Sequence, residues 1–181
     1  LLLGMLLDQQ VPMEWAFGAP AILKERLGGE LDAAKIAAME PEAVEAVFRA
    51  KPALHRYPGS MAKRAHALCI ALTESYDGDA ANVWKDAATG QELVKRLLAL
   101  PGFGPDKAKI FAAVLAKRLD IRPPGWEEAA APFSDTQRRS VARRHPGSPG
   151  VDWWWSIAAA ASSAVAVRMF TISTPCSGSG E

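Results

Sequence analysis

Cysteine is almost missing from this chain: among 181 residues only Cys69 and Cys176 occur. Two thiols in unrelated contexts exclude a disulfide framework and any four-cysteine metal or iron-sulfur centre, and they point to a reducing, cytoplasmic setting. A surplus of either charge is missing too, with 21 Lys and Arg against 20 Asp and Glu. No global cationic field is available to gather a polyanion, so any nucleic-acid contact has to come from a local patch. Long hydrophobic runs are also lacking. Leu1 to Leu7 is apolar, but it is too short for a membrane span, wrongly flanked for a signal peptide, and runs directly into Asp8-Gln9-Gln10. Because the chain starts at Leu1 already inside an apolar helical pattern, a preceding segment is expected to be missing.

Strand-period alternation is the last absence, and it holds up to about residue 135. What is present instead is helical spacing. The hydrophobic content of 49% is ample for a core. Residues 2 to 27 read as a helix, a break near Pro12, and a second helix carrying Trp15, Ala16, Phe17, Ile22, Leu23 and Leu27, ended by Gly28-Gly29. Asp32 to Ala38 reads as a short helical turn. Glu40-Pro41-Glu42 opens the next helix, with proline where a missing N–H costs nothing and Val44, Val47 and Phe48 as the buried stripe. Two prolines and a glycine make 51 to 60 a loop. Met61 to Tyr76 returns to helix, Asp77-Gly78-Asp79 turns, Asn82 to Ala88 is short and helical, and Leu93, Val94, Leu97 and Leu98 form one more apolar face. The expected fold class is all-α, a helical bundle over residues 1–135.

After about Arg138 the pattern is lost, and 136–181 reads as an atypical, irregular C-terminal tail. It contains Arg143-Arg144-His145, three consecutive tryptophans, an Ala/Ser run and a Ser/Gly end. Three readings apply to it: a tail with an apolar patch, a basic aromatic arm that stacks on single-stranded nucleic acid, or the product of a translational frame error beyond about Val141.

The most informative segment is Leu97 to Lys109. Leu97, Leu98 and Leu100 end one apolar helix, and Ile110, Phe111, Val114 and Leu115 begin the core face of the next. Between them Leu100-Pro101-Gly102-Phe103-Gly104 forms a turn whose two glycines permit close approach and unusual backbone angles. Such a turn aims several N–H groups of a helix start at one point in solvent, where a phosphate is the natural occupant. Lys107 and Lys109 add charge there without reading sequence. The plainer alternative is an ordinary tight helix-helix turn with solvated lysines.

This segment resembles the hairpin of the helix-hairpin-helix superfamily of base-excision DNA glycosylases, which includes endonuclease III and the adenine, alkylated-purine and oxidised-guanine glycosylases. The resemblance covers roughly residues 2 to 135. Leu6-Leu7-Asp8-Gln9-Gln10 is similar to the superfamily's early helix ending in a glutamine pair beside the lesion, and Arg56 to Leu68 resembles the segment before the hairpin. The small size and missing iron-sulfur cysteines make the chain similar to a short bacterial subgroup. The resemblance implies base-excision repair, lesion-bearing double-stranded DNA as partner, a monomer at the bacterial nucleoid, no cofactor and no membrane, with room for a monovalent cation at the hairpin. It implies DNA contacts at Leu100, Pro101, Gly102, Phe103, Gly104, Lys107 and Lys109. Gln9 and Gln10, whose amides both donate and accept, and Tyr57 are the candidates for a base pocket or intercalation. A solvated helix end is the plainer account of the two glutamines.

The chemistry is less plainly written. Bifunctional members attack the sugar with a hairpin lysine, and an ungapped match puts Asp106 there, with Lys107 one residue on, which disfavours a lyase. Monofunctional members use a carboxylate about eighteen residues further along to stabilise the cationic sugar and activate water. That position is Pro124. Glu127 and Glu128, after the Pro123-Pro124-Gly125 loop, are the candidate catalytic acids of a monofunctional N-glycosylase, or else first-turn glutamates that complement a helix dipole. The competing expectation is a non-catalytic DNA-binding or damage-recognition protein of the same fold.

Overall fold

The computed structural model describes residues 1–135, and the expectations for the tail lie outside the described residues. Among the described residues the chain is all-helical, with eight α-helices and one 3-10 turn. In order these are α1 (Leu2–Leu7), α2 (Met13–Arg26), α3 (Ala33–Ala37), α4 (Pro41–Arg49), α5 (Pro58–Tyr76), the 3-10 turn (Ala80–Val83), α6 (Gly90–Leu98), α7 (Pro105–Arg118) and α8 (Trp126–Ala129).

Capping chemistry sets most of the boundaries. The Asp32 carboxylate accepts the Ala34 N–H at 2.8 Å and so starts α3. Thr89 Oγ1 accepts the Glu92 N–H at 3.1 Å, while the Glu92 carboxylate reaches back to the Ala88 N–H at 3.0 Å. Together they satisfy two orphan donors at the start of α6. Prolines occupy the first positions of α4, α5 and α7, where no intrahelical N–H is required. The sequence placed the start of α5 at Met61. Pro58 in fact begins the helix, for that same reason, and the loop is shorter by a turn. Pro20 lies inside α2, which continues through it without that backbone donor.

The apolar faces meet in one core. Leu6, Phe48, Leu54, Leu68, Leu93, Leu97, Phe111 and Leu115 are all fully buried in it. Each such side chain contributes about 1.5–3 kcal/mol by leaving water. α5 is the central piece, packed by α3 and α4 on one side and by α1 on another. α6 and α7 pair with each other, and α8 closes against both. At that closure Gly90 has no room for a side chain, since a Cβ would come within 2.4 Å of the Trp126 backbone. Its N–H donates to Pro124 O at 2.8 Å, which fixes α8 at the starting end of α6.

Candidate nucleic-acid interface

The turn joining α6 to α7 is built from alternating buried and exposed residues. Leu100 and Phe103 point into the core, and Phe103 meets Phe111 edge-on with centroids 5.9 Å apart. Gly102 is exposed between them, and Gly104 is exposed directly after Phe103. Gly102 has φ +83°, a backbone angle that favours glycine, and a Cβ there would lie 2.3 Å from Leu6 Cδ1, so that side chain would have to shift. Gly104 is different. Its backbone is extended and open space surrounds it. No side chain caps α7, and Gly104, Pro105 and Asp106 at its start are exposed. The N–H groups of that first turn can therefore serve an anion from outside. Asp106 is the one carboxylate in this first turn, and it works against that role.

The turn rests on the end of α1, where polar groups from distant parts of the chain converge. A helix ends with four carbonyls that lack intrahelical partners. Here Leu6 O accepts from Lys107 Nζ at 3.3 Å and from Gln9 Nε2 at 2.7 Å. Leu7 O and Gln9 O both accept from His55 Nε2 at 3.1 Å. Arg64 of α5 donates to Gln9 Oε1 at 2.5 Å, so Gln9 is held at both ends of its amide. Gln10 is exposed, with φ +58°, and its Oε1 lies 3.5 Å from the Tyr57 hydroxyl. Asp8 caps α1 and is partly buried among these groups.

Burial perturbs the charges of this cluster. It pushes the Asp8 carboxyl above its ordinary range, and the Lys107 ammonium opposes that shift. It also pulls Lys107 below the ordinary lysine range, opposed by Asp8 and assisted by the Arg64 charge. Each of Asp8 and Lys107 thus favours the other's ionised form, against a larger opposing effect of burial.

Around the rim lies an aromatic surface. Trp15 and Tyr57 are 39% and 44% exposed and both stand near buried His55, with ring centroids 6.4 Å and 6.1 Å from it. The Arg56 guanidinium sits 5.5 Å over the Tyr57 ring. Flat exposed rings beside a cation and an amide are a surface on which a nucleobase can stack.

The sequence candidates therefore divide into two sets. Gly102, Lys107 and Gln9 meet at Leu6, Gln10 follows beside Tyr57, and Leu100 and Phe103 are buried beneath the turn. Lys109 is partly exposed two residues beyond Lys107, and residues so spaced do not share a helix face. Glu127 and Glu128 are exposed at the start of α8, by the first residue of α6, whereas the Leu100–Gly104 turn follows its last. That separates them by about 12 Å along the helix axis. Asp8, Arg64 and Trp15 join the cluster without having been singled out. Asp8 could have been found as the acid directly before the glutamine pair, but nothing local in the sequence marks Arg64.

Among the described residues no group of three or more His, Cys, Asp or Glu side chains is placed to hold a metal ion, and no helix is long and apolar enough to cross a membrane. No family model, curated protein or solved structure matches this chain.

Proposed function

We propose that this protein acts in base-excision DNA repair as a monofunctional DNA N-glycosylase on a damaged or mispaired base, with Leu100–Gly104 serving as a helix-hairpin-helix unit. The observation that carries the reading is the seat of the turn on α1. Gly102 lies against Leu6, three residues before Gln9, which supports a surface that joins the uncapped start of α7 to Gln9, Gln10 and Tyr57. Phosphate held at the helix start would fix the register of a duplex, and the neighbouring amides and rings would meet an extruded base. Lys107 adds cationic charge to this face, as a locally basic contact on a neutral chain requires. The protein works as a monomer and needs no cofactor in this scheme.

The test is base release from duplexes bearing alkylated, oxidised, deaminated and mismatched bases. Free base from one of them supports the reading. Intact duplex binding with no release across the set rejects it.

The distance of Glu127 and Glu128 from the turn favours a second reading, in which the protein recognises damage without cutting the glycosidic bond. It predicts tight, salt-dependent binding to abasic or distorted DNA with no turnover.

A further inference from the structure

Hydrolysis of an N-glycosidic bond needs a carboxylate that faces the sugar as it becomes cationic, set where water is scarce enough for the charge to act strongly. Glu127 and Glu128 do not meet that need, being solvated and about 12 Å along α6 from the turn. Asp106 is near the turn but exposed on the outer side of α7. Asp8 alone among these four is partly buried, and its backbone is held at the end of α1. Its backbone N–H donates to Gly4 O at 3.0 Å, and its neighbour Gln9 is clamped between Leu6 O and Arg64. Lys107 reaches the same helix end from α7, through Leu6 O.

Building on the glycosylase reading, we propose that Asp8 is the catalytic carboxylate of base release. The C1′–N bond breaks and its electron pair leaves with the base nitrogen, which takes a proton from solvent. The Asp8 carboxylate faces the positive charge left on C1′. Water then adds to C1′ and gives its proton to Asp8, which returns it to solvent. One water is consumed, and the products are the free base and an abasic deoxyribose. The Lys107 ammonium favours the ionised form of Asp8 against burial, as the step requires.

Single-turnover release on a lesion duplex that the wild-type protein cleaves decides the matter. D8N is expected to slow release by about 100-fold or more. Its affinity for an abasic duplex should stay within about threefold. The E127Q/E128Q double variant should keep its release rate within about threefold. An active D8N, or a double variant that has lost release, overturns the assignment while leaving the glycosylase reading standing. A wild-type protein that releases no base at all overturns both. If D8N no longer folds, D8E decides, because it keeps the charge and moves the carboxylate by one methylene. A loss of about tenfold at unchanged affinity supports the role, and an unchanged rate overturns it. Borohydride trapping of a protein–DNA adduct through Lys107 would also overturn it, since an amine rather than water would then be the nucleophile.

Discussion

His55 Nδ1 accepts the backbone N–H of Tyr57 at 3.0 Å, while His55 Nε2 faces two carbonyl oxygens. The ring is therefore neutral, with its proton on Nε2. Burial holds its pKa below the ordinary histidine value, outweighing the two carbonyl contacts that favour the cation.

The sign of the resulting pH dependence follows. Between the lowered folded pKa and the unfolded value of about 6.5, the unfolded chain binds more protons. The contribution of His55 to stability is thus complete above about 6.5 and declines as pH falls through that window. Imidazole ¹⁵N shifts should report the Nε2–H tautomer and a titration below that of free histidine. A His55 that titrates at or above the free value would disprove the arrangement.

Gly102 and Gly104 should behave differently when replaced. Gly102→Ala forces a left-handed backbone on alanine and drives a methyl into Leu6, and is expected to cost about 1–3 kcal/mol, read as a lowered Tm. Gly104→Ala meets open space in extended backbone, and should change stability by no more than about 0.5 kcal/mol. Its added methyl stands where a phosphate would approach, so duplex affinity should fall while Tm holds. Unchanged affinity in Gly104→Ala would count against phosphate binding at this turn.

Lys109→Ala tests whether a DNA contact extends beyond the face that carries Lys107. If the ammonium contacts a phosphate, the slope of log affinity against log salt should shrink by about one, with little dependence on DNA sequence. A slope equal to that of the wild-type protein would remove Lys109 from the interface.

Cys69 is buried in α5, where burial and then the Asp32 charge push its thiol up to about 12. At neutral pH it is a protonated, inert hydrophobe. In a Cys176→Ser background, labelling by a thiol reagent should proceed only as fast as the protein opens, and should accelerate with denaturant. Rapid stoichiometric labelling of the native protein would contradict the burial.

These sites differ in how far the sequence announces them. Helices with local signals were legible: Asp32 before α3, Pro41 at the start of α4, and the apolar spacing of Val44 and Phe48. The Leu100–Gly104 turn was legible for the same reason, since its glycines and its flanking apolar runs are contiguous. Arg64 was not, because its meeting with Gln9 spans 55 residues and is created by packing alone. Trp15 sits in a helical apolar pattern yet remains 39% exposed, because its side chain lies against the His55 loop at the rim of the core. Periodicity reports which residues share a face, not whether another element covers it. Glu127 and Glu128 are candidates because they follow the Pro123-Pro124-Gly125 loop at the counted position, a spacing that does not say which end of α6 the loop packs against. Gly90 binds it at the start of that helix.

The donors that close the end of α1 also bear on how the protein is made. Leu6 and the ammonium that reaches it are 101 residues apart, and His55 is 48 residues from Leu7. α1 leaves the ribosome early, but Lys107 emerges only when α7 is being synthesised. A nascent chain can thus bury much of α1 to α5 while the polar end of α1 still awaits its last partner, and contacts this far apart in sequence form late because loop closure precedes them. Chain release before α7 leaves the end of α1 without its Lys107 partner.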